Sequence, residues 1–384
     1  MTAAKQVTLC FSAERTGVAM SDNRRIYSTI RNALRQLYPT EPKGNLARHL
    51  NTMAGLVAGI VQAKSCQLPA IARHTPDLSK PESRIKRYSR WEQNERVDFE
   101  TYYLPFVRQI LAHVASIRPL VFVVDGSEMG HGCITLMISL IYQKRALPVV
   151  WLVVKGRKGH LPEEVHMALL AQLQEIVPQN CPVIFLGDGE FDGIELQSAI
   201  QALGWLYACR TAKNVQLYEE DLPFSFADLC LQPGDCIGLS NVQFTRQAYG
   251  PVTVIGWWKK GFQEPIFLVT NFELTCEACY WYEKRFQIET FFSDEKSRGF
   301  YIHKSHLSNP DRLTKLLLAA CLAYVWIVFL GILAHRQNWV KIIHRTERCD
   351  WSLFRLGLCL LDYLLNEDKP IPVAFNPLAV NYVR

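Results

Sequence analysis

Between residues 119 and 212 short apolar runs alternate with helix-like segments in an order that leaves few folds open. Pro119 ends a stretch of helical texture. Residues 120–124 (LVFVV) form a brief β-rich run that stops at Asp125-Gly126. Residues 133–142 and 146–154 give two more strand-like runs, joined by Gln143-Lys144-Arg145. A Gly- and Lys-rich loop, KGRKGH, follows at 155–160. Pro162, Glu163 and Glu164 then open a helix to residue 177, because proline is preset for a first turn and acids suit the positive end of the helix dipole. Residues 182–186 make a fourth strand, stopping at Gly187-Asp188-Gly189. A helix over 193–203 closes at Gly204, and residues 205–210 make a fifth strand.

Three strands with short links fold as an antiparallel meander, whereas helical crossovers bring strands together in parallel. The order therefore predicts an α/β chain with a ribonuclease-H-like mixed sheet and flanking helices, its first and fourth strands parallel neighbours. Each of those strands ends at an Asp-Gly, which puts Asp125 and Asp188 at one sheet edge, where such sheets carry their chemistry. Glu128 competes with Asp125, and Glu190 and Asp192 with Asp188; the two aspartates directly after the strands are preferred. Asp-Gly is also ordinary turn chemistry, so neither aspartate alone decides the matter.

A third carboxylate is expected from residues 280–298, YWYEKRFQIETFFSDEKSR, which hold helix formers and no Gly or Pro. At about 100° per residue, Tyr282, Arg285, Glu289 and Lys296 fall within an arc of about 60° on one helix face. Phe286, Ile288, Phe291 and Phe292 flank that stripe and can press the helix onto a core. A charged stripe is also what a solvated face looks like; Arg285 can pair with Glu289 at i+4, and Tyr282 can be a half-buried aromatic. Asp125, Asp188 and Glu289 together form a carboxylate cluster whose mutual repulsion calls for cations. Hard oxygen donors suit Mg²⁺ or Mn²⁺, and two such ions about 3.5–4 Å apart drive in-line phosphoryl transfer. Arg285, Lys296 and Tyr282 would then meet backbone phosphates.

The rest of the chain fits around this core. Residues 1–118 carry 18 Lys/Arg against 9 Asp/Glu, whereas the remainder carries 24 against 27. A basic front segment points to a polyanionic partner, most simply DNA, although a well-charged helical domain would look the same. Residues 1–20 read as a loosely ordered lead-in. Helices are expected over 22–38, from an Asn45 cap to 61, over 66–74 and over 97–116. The run SRIKRYSRW at 83–91 carries Arg84, Lys86, Arg87 and Arg90 and resembles the basic part of a helical DNA-binding module. Residues 213–264 form a β-rich insertion that includes Trp257 and Trp258, and 265–335 return to the core. Residues 316–334 are uncharged and apolar, long enough to span a membrane but read as a buried core helix without a membrane partner. Residues 336–384 read as a C-terminal helical tail with an extended end. The twelve cysteines show no framework and the first residues no signal-peptide core, which predicts a reducing cytoplasm with free thiols. Cys276 and Cys279 form one CxxC without the second pair that a zinc site needs.

The pattern Y-x2-R-x3-E-x6-K, present as Tyr282, Arg285, Glu289 and Lys296, resembles the signature of the IS4-type DDE transposases. The segments VFVVDGS at Asp125 and VIFLGDGEFDG at Asp188 are similar to that family's other two catalytic segments, and SRIKRYSRW to the stretch before its catalytic domain. The resemblance covers most of residues 80–335. It implies a bacterial, nucleoid-associated enzyme that cuts at the terminal inverted repeats of an insertion sequence and joins the 3′-hydroxyl ends to target DNA, working as a homodimer in the synaptic complex. Asp125, Asp188 and Glu289 would hold the two metal ions, and Tyr282, Arg285 and Lys296 the element's end. Some members stack a flipped base on a Trp of the insertion; Trp257 and Trp258 are the candidates, with a core role in a β-hairpin as the alternative. A ribonuclease-H-like nuclease without strand joining and a catalytically silent DNA-binding protein remain the competing readings.

Overall fold

The computed structural model describes residues 20–376 apart from 160, 346 and 347; the expected lead-in and the last part of the extended end therefore lie outside the described residues. Helices α1 (Asp22–Arg35), α2 (Gly44–Ala63), α3 (Leu68–Arg73), α4 (Pro81–Glu92), α5 (Phe99–Tyr102) and α6 (Leu104–Ala115) precede the sheet. Ile26, Ile30 and Leu34 repeat every fourth residue along α1 and are buried, whereas Arg24 is exposed and Arg25 turns in to the Lys369 carbonyl. The single helix expected over 97–116 is two helices. Asp98 caps α5 through the Thr101 N–H at 2.6 Å, and Pro105 in the first turn of α6 has no N–H for the Thr101 carbonyl and clashes with it, so the helix breaks at Tyr103, whose φ is −126°.

The sheet begins with β1 (Leu120–Gly130), β2 (Cys133–Tyr142) and β3 (Arg145–Lys155). Then come α7 (Glu163–Ile176), β4 (Val183–Gly187), α8 (Ile194–Ala202) and β5 (Leu206–Arg210). β1 and β2 pair antiparallel, as do β2 and β3, whereas β1–β4 and β4–β5 are parallel. This is the ribonuclease-H-like arrangement expected from the order of elements, with helices on its faces. β1 does not stop at Asp125, however. It continues to Gly130 along β2, with Asp125 opposite Met137, because the second half of the β1–β2 ladder supplies partners for its backbone.

Residues past β5 extend the same sheet. β6 (Leu217–Glu219), β7 (Leu222–Phe224), β8 (Cys236–Phe244), β9 (Tyr249–Trp257) and β10 (Ile266–Thr270) complete the order β3-β2-β1-β4-β5-β10-β9-β8-β6-β7. β10 pairs antiparallel with β5 on one side and β9 on the other.

Beyond the sheet lie α9 (Thr275–Tyr282), α10 (Gln287–Glu295), α11 (Pro310–Arg336), α12 (Val340–Ile343) and α13 (Leu353–Asn366). α11 starts at an Asn309 cap and is long and apolar enough to cross a membrane, but every residue from 316 to 334 is buried inside the fold. It packs against α2, β3 and α13. The crossing with α13 is close because two glycines face backbone: a Cβ on Gly331 would fall on the Leu353 carbonyl, and one on Gly357 on the Ile327 carbonyl. α10 is held to β3 by a buried ion pair, Arg145 Nη1 to Asp294 Oδ2 at 2.7 Å.

Candidate active site

The parallel ladder between β1 and β4 ends at Val124 opposite Gly187, so the next residue on each chain is an aspartate. Asp125 and Asp188 are neighbours for that reason. α10 packs on β1 and β3 and brings Glu289 to the same place. The three carboxylates line one open cleft of about 400 Å³ together with Lys158, Arg210 and Arg285.

The cleft is electrostatically uneven. Asp125 is buried, and its Oδ1 accepts from Lys158 Nζ at 2.7 Å and from the Gly126 N–H at 2.7 Å. Burial pushes the Asp125 carboxyl up, with Asp188 adding to the rise while Lys158 and Arg285 oppose it. Burial works to discharge Lys158, but the hydrogen bond to Asp125 and the charges of Asp125, Asp188 and Glu190 outweigh it and raise its pKa. Asp188 Oδ1 accepts from the Glu190 N–H at 3.1 Å, a local turn that fixes its direction. Glu289 is the accessible member: its side chain is 53% exposed, and Oε1 accepts from Arg285 Nη2 at 3.0 Å.

The expected continuous helix over 280–298 is interrupted. α9 ends at Tyr282, residues Glu283–Phe286 form a 3-10 turn, and α10 runs only to Glu295. The four signature residues therefore do not form a stripe on one helix face. Tyr282 is buried, and its hydroxyl is pushed up to about 12 by burial, against the pull of Arg285 and Arg210. Arg285 is buried as well, with its guanidinium 4.5 Å from the Phe286 ring centroid and 5.8 Å from that of Tyr282. Phe286, expected to press inward, is exposed beneath it. Lys296 follows the end of α10, half-buried; burial lowers its pKa, and its charged neighbours are Glu128, Lys158 and Asp125. It lies past the helix C-terminus and is not one of the residues that line the cleft.

The competing carboxylates occupy other places. Glu128 is the exposed residue of β1. Asp192 Oδ2 accepts from Thr211 Oγ1 at 2.6 Å, tying the end of β5 to the turn after β4. Glu190 takes hydrogen bonds from the backbone of Gly159 and Leu161, and burial with Asp188 raises its pKa. Lys158 and Arg210 are cleft residues that sequence reasoning left unassigned. The signal for Lys158 was the loop directly after the third strand, and for Arg210 the last position of the strand beside Asp188.

The remaining expected contact residues are dispersed. The run 83–91 lies in α4. Arg84 Nε donates to Asp77 Oδ1 at 2.9 Å and Nη1 to the Ala72 carbonyl at 3.1 Å, so its guanidinium is committed within the chain. Arg87 Nη2 donates to Asp77 Oδ2 at 2.7 Å, whereas Lys86 and Arg90 are exposed. Trp257 lies at the end of β9, 6.2 Å from Phe262 between ring centroids, and Trp258 Nε1 donates to the Phe262 carbonyl at 3.0 Å. Both indoles are half-buried and pack on the core, which favours the hairpin-core alternative for their resting arrangement.

The donor set fits a hard divalent cation in chemistry, being all carboxylate, and positive groups stand in for one at Asp125 and Glu289. It does not yet fit in spacing: among the described residues no three His, Cys, Asp or Glu side chains are close enough to hold an ion.

Residues 118–326 match the family model described as Transposase DDE domain. A cryo-EM structure of a piggyBac transposase synaptic complex with hairpin DNA is similar at a TM-score of 0.45 and 13% identity, over 91% of this chain and 80% of that one. No curated protein sequence matches.

Proposed function

The chain belongs to the transposase DDE-domain family, and we propose that it is an IS4-type transposase that cuts DNA at terminal inverted repeats and joins the 3′-hydroxyl ends to target DNA. The observation that carries this reading is the meeting of Asp125, Asp188 and Glu289 in one cleft rimmed by Lys158, Arg210 and Arg285. Domains of this family work with divalent metal ions, and Asp125, Asp188 and Glu289 are the residues that would hold Mg²⁺ or Mn²⁺. Ions held there would activate water or a 3′-hydroxyl and stabilise the leaving oxygen of the phosphodiester. Arg285 directs Glu289 into the cleft, and Arg210 with Lys296 offers positive charge to the phosphate oxygens beside it. Tyr282 acts through Arg285, as its buried support, rather than on DNA. Exposed Lys86 and Arg90 on α4 would follow the DNA backbone, and a second copy of the chain would hold the other end in the synaptic complex, in the cytoplasm beside the nucleoid.

The test uses purified protein and DNA from both flanks of its own gene, with and without Mg²⁺, and nicks mapped on a denaturing gel. Nicks at a short inverted repeat that require the metal and vanish in Glu289→Ala and Asp188→Ala are expected, with end binding retained in both variants. Binding without cleavage by the wild type would replace this reading with that of a silent DNA-binding protein. Cleavage without any joined product would replace it with that of a nuclease.

A further inference from the structure

A positive charge already sits at the most buried of the three carboxylates. Lys158 Nζ lies 2.7 Å from Asp125 Oδ1; the Asp125 side chain is 4% exposed and that of Lys158 is 50% exposed. The ammonium therefore reaches into the cleft from the solvent side, on a side chain free to withdraw. Lys158 lies between β3 and α7, and at the adjoining Gly159, where φ is +80°, an added Cβ would meet nothing within 4 Å. The loop is attached instead through Glu190, which bonds the Gly159 and Leu161 backbone and whose Oε2 lies 3.7 Å from where a Cβ on Gly126 would stand. A chain of contacts thus runs from Asp188's turn, through Glu190, to the loop that aims Lys158 at Asp125.

We propose that Lys158 is a built-in counter-ion of the cleft, which neutralises Asp125 in the metal-free protein and competes with a divalent cation for that carboxylate. The proposal rests on the metal-holding role given above to Asp125, Asp188 and Glu289. Both cations cannot share the site. A hard divalent ion binds carboxylate oxygen at about 2.0–2.2 Å, well inside the ammonium distance, and two positive charges that close repel strongly. Asp125 Oδ1 also already accepts from Lys158 and from the Gly126 N–H. The ion's arrival must therefore release Lys158. The long flexible stem then lets the freed ammonium take a phosphate oxygen at the cleft mouth. Phosphate and metal both favour the withdrawn position of Lys158, so each strengthens the binding of the other.

The measurement is Mn²⁺ binding to the full-length protein without DNA, followed by the loss of the free Mn²⁺ EPR signal. Lys158→Gln should bind Mn²⁺ about tenfold more tightly than the wild type, roughly the worth of one charge-assisted hydrogen bond. Lys158→Arg keeps the competing charge and should stay close to the wild type. A second readout guards against misfolding: in EDTA Lys158→Gln should melt below the wild type, and Mn²⁺ should raise its melting temperature by more. Unchanged or weaker Mn²⁺ binding by Lys158→Gln would overturn the proposal, as would failure of both proteins to bind at millimolar Mn²⁺. Asp188→Asn separates the two readings. It should lose Mn²⁺ binding; binding equal to the wild type would put the ions elsewhere and overturn the site assignment itself.

Discussion

Glu295 closes α10 inside the protein, with no solvent exposure and with neither carboxyl oxygen hydrogen-bonded. Burial, with Asp294 adding to it, raises its pKa from 4.5 to about 8, so the folded chain carries it as a neutral acid at neutral pH. The unfolded chain ionises it there. Since the folded pKa is the higher one, the folded state holds the extra proton between those two values, and stability falls as pH rises through that window. At pH 7 the penalty relative to a group that cannot ionise is about 3 kcal/mol, at 1.36 kcal/mol per pH unit above the unfolded pKa. Glu295→Gln removes the ionisation and keeps the size. The amide leaves polar atoms unpaired much as the neutral acid does, so that cost cancels to first order. Glu295→Gln should therefore be more stable than the wild type by about 3 kcal/mol at pH 7 and by close to nothing near pH 4. Urea unfolding followed by tryptophan fluorescence across this range gives the difference directly. Glu92, raised to about 7 by burial, contributes a slope of the same sign to both proteins and drops out of the comparison. A gain that does not change with pH would refute the reasoning, because it would mean that Glu295 is equally ionised in both states.

Three further outcomes are expected. Arg145→Met strands the Asp294 carboxylate and should cost about 3–5 kcal/mol in urea unfolding, most of it recovered in Arg145→Met/Asp294→Leu. Arg84→Ala should lower stability by about 1–3 kcal/mol without changing how DNA binding depends on salt, whereas Lys86→Ala should weaken binding and reduce the logarithmic salt slope by about 1. Gly357→Ala pushes a methyl group onto the Ile327 carbonyl and should cost about 1–3 kcal/mol, read as a lower melting temperature.

The core was readable because its strands are continuous apolar runs punctuated by Asp-Gly, and both aspartates follow from that punctuation. Other features depend on partners far away in the chain. Nothing in the polar sequence GSEMG tells that β1 continues past Asp125; β2 decides it. The stretch 280–298 is helical by propensity throughout, and only tertiary packing, which buries Tyr282 and Arg285, turns its middle into a 3-10 turn. The reading of 97–116 as one helix passed over Pro105, which cannot give an N–H to the turn before it and so separates α5 from α6. Arg84 reads as one of four cations in a basic run, but Asp77, seven residues earlier, has already claimed it. Lys158 reaches Asp125 across 33 positions, a separation beyond any local pattern.

The unbroken run of strands from β3 to β7 has a mechanical consequence. Backbone hydrogen bonds pass from β5 through β10 to β9 and β8, so the ribonuclease-H-like half and its β-rich extension share one ladder with no seam between them. Swinging the extension as a lid would mean tearing that ladder. The stiffness of the sheet instead fixes the distance from Asp188 to Trp257, and whatever polymer lies along both must bend to the length of the ruler it is laid against.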